Sequence, residues 1–195
     1  MTTFEPMKPQ DRKSEIIAIA AKLFKEKGYS AVTMRDIANA LDIKAASLYN
    51  HITSKQEILV LIIIEIAEEF TNKMNKIVNS DETSIQKLQK IIELHIDITI
   101  RNPDELASLN NDWMHLTNQE LTYFIKMRED YEQNFRRIVK FGIHNQEIKN
   151  LNPEVIIFSM LSTLRTLYLW YGKKNTINEK VLKSNMTKVL MNGII

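Results

Sequence analysis

Apolar side chains recur at intervals of three and four residues along most of the chain, the spacing that places them on one face of an α-helix. Only four glycines and four prolines interrupt this pattern. Because these two residue types most often end helices and form turns, their scarcity indicates helices joined by few flexible connections. The sequence therefore predicts an all-α fold of about nine helices.

The first part of the chain divides into short helices with recognisable ends. An apolar stripe predicts helix one over about residues 11–27, followed by Gly28 at the position of a left-handed C-cap. Thr33 and Asp36 have the spacing of a capping box, which predicts a second helix that ends at Leu41.

A tight turn and two further helices follow. Asp42 occupies the turn, since aspartate adopts the left-handed backbone conformation more readily than most residues. The third helix is expected over residues 45–52. Ser54 and Glu57 have the spacing of another capping box, which predicts a fourth helix over about residues 55–74.

Helices two and three have the arrangement of a helix-turn-helix, in which the second helix enters the major groove of DNA. Ala45 is small enough to let the backbone approach the bases, and Ser47 and Asn50 are suited to base edges. The side chains suited to phosphate oxygens are Lys44, Tyr49, His51 and Lys55. Lys44 lies at the start of the third helix, from which it could reach either a guanine edge or a phosphate.

The remaining two thirds of the chain predict five further helices. Asn102-Pro103 and Asn152-Pro153 each supply an N-cap followed by proline at the first helical position. The other three helices are expected over residues 84–100, 118–145 and 178–191.

The segment over residues 155–171 is apolar nearly all round. A helix without a polar face must be covered on every side, and one domain covers only part of it. This pattern favours a homodimer, and a central core helix of a monomer is the alternative.

Composition narrows the classes of function. Nine basic and seven acidic residues lie in the first 60 residues, and 17 of each follow, so all of the net positive charge lies in the N-terminal third of the chain. Cysteine is absent, which excludes disulfides, thiolate nucleophiles and cysteine-ligated metals. The glycines are too far apart for a phosphate-binding loop. We therefore expect a protein that is not an enzyme and that uses no cofactor.

Neither a membrane span nor a metal site is expected. The longest apolar run, Ile58–Ile64, is far shorter than the ~20 residues that cross a bilayer. Residues 1–10 lack the apolar stretch of a signal peptide, so a short disordered arm and a cytoplasmic location are expected. His95, His115 and His144 have separations that match no local metal-ligand spacing.

Several segments resemble the N-terminal domain of the TetR family of bacterial transcriptional regulators over about residues 11–62. They are Ile17 to Phe24, Gly28-Tyr29, Thr33 to Ala38, Ser47 to His51 and Ser54 to Leu59. The chain departs from the family pattern at Asp42, Lys44 and Ile52, where glycine, a small hydroxyl residue and phenylalanine are usual. These departures concern the operator sequence rather than the fold.

The resemblance implies a DNA-binding domain over residues 10–70 and a ligand-binding and dimerisation domain over residues 71–195. It adds Thr33 and Arg35 to the expected DNA-contacting residues. The implied function is a ligand-responsive regulator, a homodimeric repressor released from a palindromic operator in double-stranded DNA when a small-molecule effector binds. The alternative is a helical small-molecule-binding protein or enzyme with an incidental helix-turn-helix.

The resemblance also implies an effector cavity among the later helices, for which the candidate lining residues are Trp113, Phe124, Tyr131, Arg165 and Tyr168. Arg165 lies in the most apolar helix and needs an anionic partner or access to water. A carboxylate across the dimer interface and an anionic effector both remain open. Residues 164–171 weakly resemble acyl-CoA-responsive members of the family, which suggests an acyl-CoA or another anionic lipid-derived compound.

Overall fold

The structure, a computed structural model, describes residues 9–171 and 177–195, which form nine α-helices and two short 3-10 turns. The helices are α1 (Pro9–Lys27), α2 (Met34–Ala40), α3 (Ala45–Tyr49), α4 (Lys55–Val78), α5 (Ser84–Arg101), α6 (Pro103–Asn111), α7 (Asn118–His144), α8 (Pro153–Tyr171) and α9 (Glu179–Asn192). The all-α prediction is confirmed. Residues 1–8, most of the predicted arm, lie outside the described residues.

Local chemistry explains most of the helix ends. The Thr33 hydroxyl accepts from the Asp36 amide while the Asp36 carboxylate accepts from the Thr33 amide, so the predicted capping box at α2 is confirmed. Asp42 has a φ of 53°, as the tight turn required. Gly28 has a φ of 81° but a ψ of 143°, so it is not the expected left-handed C-cap but an extended conformation open only to glycine.

Two helices differ in length from the sequence prediction. Helix α3 ends at Tyr49 rather than near Ile52, because the chain turns at once to bury Ile52. Helix α4 continues to Val78 rather than ending near Met74, and the predicted domain boundary at residue 70 lies within it. The capping box predicted for α4 is incomplete, since Glu57 accepts from the amide of Thr53 rather than from that of Ser54.

Two main apolar clusters hold the helices together. The first cluster contains residues of α1, α2, α3 and the start of α4, together with Leu116, Phe124 and Met127. The second joins the end of α4 with α5, α7, α8 and α9 around Phe135, which is fully buried. Because α4 and α7 contribute to both clusters, the two halves of the molecule are packed against each other rather than merely linked.

None of the helices in residues 9–171 and 177–195 combines the length and the apolar character needed to cross a membrane.

Candidate nucleic-acid interface and ligand cavity

Helices α2 and α3 form a helix-turn-helix that is anchored by its buried side chains. The side chains of Ile37, Leu48 and Ile52 are at most 1% exposed and fix both helices to α1 and α4. Lys44 is the N-cap residue of α3 and makes no side-chain capping bond, as its side chain predicts. A short helix is thereby held rigidly with its other side open to solvent.

The predicted DNA-contacting residues of this motif lie mostly at the surface. The exposed ones are Thr33, Arg35, Lys44, Ser47, Tyr49 and Asn50, whereas Ala45 and His51 are half-buried. Tyr49 is the large apolar side chain of the group and keeps 52% of its area exposed. A surface of this kind, with a small residue and polar heads on a rigid short helix, is suited to the major groove of DNA.

Lys55 is placed differently from the other candidates. Its ammonium donates to the backbone carbonyls of Tyr29 and Val32, each at 2.8 Å, and lies 4.2 Å from the centre of the Tyr29 ring. Burial lowers the pKa of Lys55. The ammonium has three protons, so these carbonyls occupy most of its donors. Lys55 therefore mainly stabilises the turn that precedes α2.

A cavity of about 340 Å³ lies among α4, α5, α6, α7 and α8. Its wall is largely apolar, with Phe70, Leu106, Phe124, Met127 and Leu164 among the contributors. Cavities of this size and character commonly hold small ligands.

A hydrogen-bonded pair, His95 and Tyr131, interrupts the apolar wall. His95 Nε2 lies 2.9 Å from the Tyr131 hydroxyl, and both side chains are buried. Burial, helped by the charge of Arg165, lowers the pKa of His95 to about 3, and burial raises the pKa of Tyr131. Both groups are therefore neutral at physiological pH.

Charged side chains stand at another part of the same wall. Arg165 donates to the Glu132 carboxylate at 2.7 Å, and the Arg128 Nε lies 3.7 Å from the same oxygen. Arg128 also lies over the ring of Trp113, at 5.7 Å from its centre. The anionic partner that Arg165 required is thus a carboxylate of its own chain. Two guanidinium groups share this one carboxylate, which leaves a net positive charge beside the cavity.

Four of the five predicted cavity residues, Trp113, Phe124, Tyr131 and Arg165, line this cavity. Tyr168 does not line it, because it turns away from the cavity to pack against α6, where its hydroxyl lies 3.3 Å from Asn111 Oδ1.

His95 and Arg128 also line the cavity, although neither was predicted there from the sequence. The signals were present, since His95 sits on the apolar face of α5, and Arg128 shares a face of α7 with Phe124 and Tyr131. The three histidines considered for a metal lie apart, and no cluster of three metal-binding side chains occurs in the described part of the chain.

The turn Trp113–His115 connects the cavity to the helix-turn-helix. Trp113 lines the cavity, whereas the His115 ring packs on Tyr29 with ring centres 5.0 Å apart. Gln56, in the first turn of α4, donates to the His115 carbonyl at 3.0 Å and accepts from the Tyr29 hydroxyl at 2.8 Å. Lys55 also donates to the backbone carbonyl of Tyr29. A continuous set of contacts therefore runs from the cavity wall to the start of α2.

Large apolar side chains remain exposed on α8 and α9. Val155, Phe158, Leu169 and Trp170 are between 41% and 72% exposed, and on α9 Val189 is 72% exposed. An apolar surface of this extent is unusual for a monomer and typical of an interface between subunits.

Two family models match the chain. One, described as bacterial regulatory proteins, tetR family, matches residues 16–62. The other, described as tetracyclin repressor-like, C-terminal domain, matches residues 81–194 and so spans more than half of the chain.

Individual proteins match along nearly the whole length. The HTH-type transcriptional repressor KstR2 of Rhodococcus jostii is 23% identical over 185 residues, which are 94% of this chain and 91% of that protein. The structure of the ketosteroid transcriptional regulator KstR2 of Mycobacterium tuberculosis matches with a TM-score of 0.87 at 20% identity, over 94% of each chain. AibR, solved in complex with isovaleryl coenzyme A and operator DNA, matches with a TM-score of 0.77 at 21% identity, over 91% of this chain and 97% of that one. These structural likenesses establish the fold.

Proposed function

The chain belongs to the tetR family of bacterial regulatory proteins, which makes it a ligand-responsive DNA-binding regulator, and we propose that it is a homodimeric cytoplasmic repressor of transcription. Residues 10–70 serve as its DNA-binding domain and residues 71–195 as its ligand-binding and dimerisation domain. The observation that carries the proposal is the set of contacts from the cavity, through Trp113–His115, to the helix-turn-helix.

The DNA-binding role rests on the exposed side of α3. Ser47 and Asn50 would contact base edges, and Tyr49 would contact phosphate from the end of the helix. Thr33, Arg35, Lys44, Ala45 and His51 complete the proposed interface. Lys55 contributes to this interface mainly by holding the backbone of Tyr29 and Val32 in place.

The effector is proposed to be an apolar molecule with an anionic group. At ~30 Å³ for each non-hydrogen atom, roughly eleven such atoms fill the cavity, about the size of an eight-carbon acid. Arg128 and Arg165 can each turn from Glu132 to an anion, because a guanidinium binds carboxylate and phosphate alike. An acyl-CoA carries both an apolar chain and anionic phosphates, and the complex of AibR with isovaleryl coenzyme A supports this class.

Dimerisation is proposed to use the exposed apolar side chains of α8 and α9. Two copies of this surface would place two helix-turn-helix units side by side, which suits a palindromic operator. Phe158→Glu places a charge on this surface, at a side chain that is 72% exposed, and is expected to yield monomers in sedimentation experiments. Gln119→Glu, which adds a charge at an exposed position of α7, is the control.

Ligand binding releases the repressor only if the ligand prefers the conformation that does not fit DNA. An anion that draws Arg128 from the Trp113 ring would disturb the turn Trp113–His115 and, through Gln56 and Tyr29, the position of α2 and α3. A preference of about 3 kcal/mol lowers the affinity for DNA roughly 150-fold.

The deciding experiment measures binding of the purified protein to DNA from upstream of its own gene by fluorescence anisotropy. The proposal expects a complex that is selective for sequence and weakens as salt is raised, because phosphate contacts release counterions. Octanoyl-CoA should dissociate this complex. The absence of a sequence-selective complex would contradict the repressor and leave a helical ligand-binding protein.

A further inference from the structure

We propose that the His95–Tyr131 pair determines ligand specificity by binding one neutral oxygen, a hydroxyl or a carbonyl, of an otherwise apolar ligand. This inference rests on the proposed function, since it concerns the ligand of the same cavity. It goes beyond the proposed function because it requires the ligand to carry a neutral oxygen, a group that apolar packing and the two arginines do not recognise.

The pair has hydrogen-bonding capacity that its own bond does not use. A neutral imidazole has one donor and one acceptor, and a phenol has one donor and two lone pairs. If His95 donates to Tyr131, the phenolic proton is free for a ligand carbonyl. If Tyr131 donates to His95, the phenolic oxygen can accept from a ligand hydroxyl. In both arrangements the pair offers a bond to an uncharged oxygen.

The surroundings of the pair hold it in place and make its preference strong. The Phe70 ring packs against both partners, with ring centres 4.7 Å from His95 and 6.0 Å from Tyr131. The wall also contains Thr71, Thr99 and Asn110, of which Thr71 and Asn110 already donate to the backbone carbonyls of Ala67 and Leu106. A buried site built to hydrogen-bond a ligand discriminates against an analogue that lacks the bonding group.

The pair and the arginines recognise different parts of one ligand. Tyr131 lies next to Glu132 in the chain, and the charge of Arg165 acts on both His95 and Tyr131. The neutral oxygen and the anion of the ligand must therefore lie close to each other. A 3-hydroxy acid has this arrangement. An acyl thioester instead offers only its thioester carbonyl to the pair, because the long pantetheine arm carries the phosphates well away from that carbonyl.

Two matched pairs of probes test the proposal and separate these two sources of the oxygen. Octanoate and 3-hydroxyoctanoate differ only in a chain hydroxyl, and S-octyl-CoA and octanoyl-CoA differ only in the thioester carbonyl. Dissociation constants are measured by isothermal titration calorimetry on the full chain. We expect the oxygen-bearing member of at least one pair to bind about ten-fold more tightly or better.

The variant Tyr131→Phe removes the phenolic oxygen and keeps the ring, and it should reduce that preference to within about two-fold. Tyr123→Phe is the matched control, because Tyr123 lies on the same helix, is exposed and bonds to Glu68 away from the cavity. Retention of the preference in Tyr131→Phe would overturn the proposal.

The wild-type comparison needs no variant and stays decisive if Tyr131→Phe does not fold. Equal affinity within both pairs, or binding of none of the four probes, would overturn the proposal and identify His95–Tyr131 as a structural bond. Operator binding without any probe is measured separately, so these outcomes leave the proposed repressor standing. Loss of operator binding would instead contradict the repressor.

Discussion

The side-chain amide of Gln56 donates a 3.0 Å hydrogen bond to the backbone carbonyl of His115, a residue 59 positions later in the chain. The bond joins the first turn of α4, next to the helix-turn-helix, to the turn that begins with the cavity residue Trp113. Lys25 and Asp104 form an ion pair at 2.7 Å that joins α1 to α6 on the same side. The DNA-binding end is therefore bonded to two segments that border the cavity, α6 and the turn that follows it.

Gln56→Met should weaken communication between the two sites, because methionine keeps the shape of the side chain and loses both hydrogen bonds. Operator binding is expected to change the fluorescence of Trp113, measured with Trp170 replaced by phenylalanine, and Gln56→Met should reduce this change. The expected loss of coupling is about 0.5–2 kcal/mol. Gln119→Met, at an exposed position of α7, should leave the signal intact. An undiminished signal in Gln56→Met would show that coupling takes another route.

Asn50→Ala should alter base discrimination rather than general affinity. A lost base contact costs about 1–3 kcal/mol against the correct base pair and little against the others. Tyr49→Ala should instead weaken binding to all sequences alike, because phosphate contacts carry no sequence information. Anisotropy titrations against the operator and its single-base variants compare the two. A uniform loss in Asn50→Ala would contradict its assignment to a base.

Lys55→Met should lower the free energy of unfolding by about 2 kcal/mol, because the carbonyls of Tyr29 and Val32 lose a charged donor. Lys44→Met is the matched control, since the exposed Lys44 has no side-chain capping bond, and it should change stability by less than about 0.5 kcal/mol. Urea denaturation measures both. If Lys55→Met unfolds at the wild-type urea concentration and only DNA affinity falls, Lys55 is a phosphate contact as its sequence position suggested.

The features predicted best from the sequence are those that depend on residues close together in the chain. The capping box of Thr33 and Asp36 and the positive φ of Asp42 both depend on side chains acting on their own backbone. Such chemistry can be found from spacing, and so can the apolar faces that define the long helices. The family resemblance then supplied the arrangement of these helices.

Contacts between distant parts of the chain could not be predicted in the same way. Arg165 finds Glu132 on another helix, and Lys55 finds carbonyls more than 20 residues before it. Tyr168 was expected in the cavity because the family resemblance places its helix there, but its side chain packs against α6 instead. Spacing gives the face of a helix that a residue occupies, and packing alone decides what that face meets.

Gly142→Ala should destabilise the protein by about 1–3 kcal/mol through overpacking. A Cβ atom at Gly142 would lie 2.7 Å from Ser84 Cβ, where the start of α5 crosses α7, and 2.5 Å from Ile148 Cδ1. The isoleucine terminus can move, but Ser84 Cβ is fixed by the backbone of α5. Gly193→Ala is the control, because no atom lies within 4 Å of the added Cβ and its φ of −73° suits alanine. Equal midpoints for the two variants in thermal denaturation would show that α5 and α7 can move apart to accommodate the added Cβ atom without loss of stability.

His95 should make the protein less stable in acid. Burial holds its folded pKa at about 3, below the value of about 6.5 in an unfolded chain. The unfolded state therefore binds more protons, so this contribution is complete above pH 6.5 and is lost as the pH falls toward 3. Between pH 7 and 5 the loss is about 2 kcal/mol. His95→Gln cannot titrate, so its free energy of unfolding should fall by about 2 kcal/mol less over this interval. Parallel pH profiles for His95→Gln and the wild type, measured by urea denaturation, would mean that the cavity admits a charged imidazole, and the His95–Tyr131 pair would then not be restricted to neutral ligand groups.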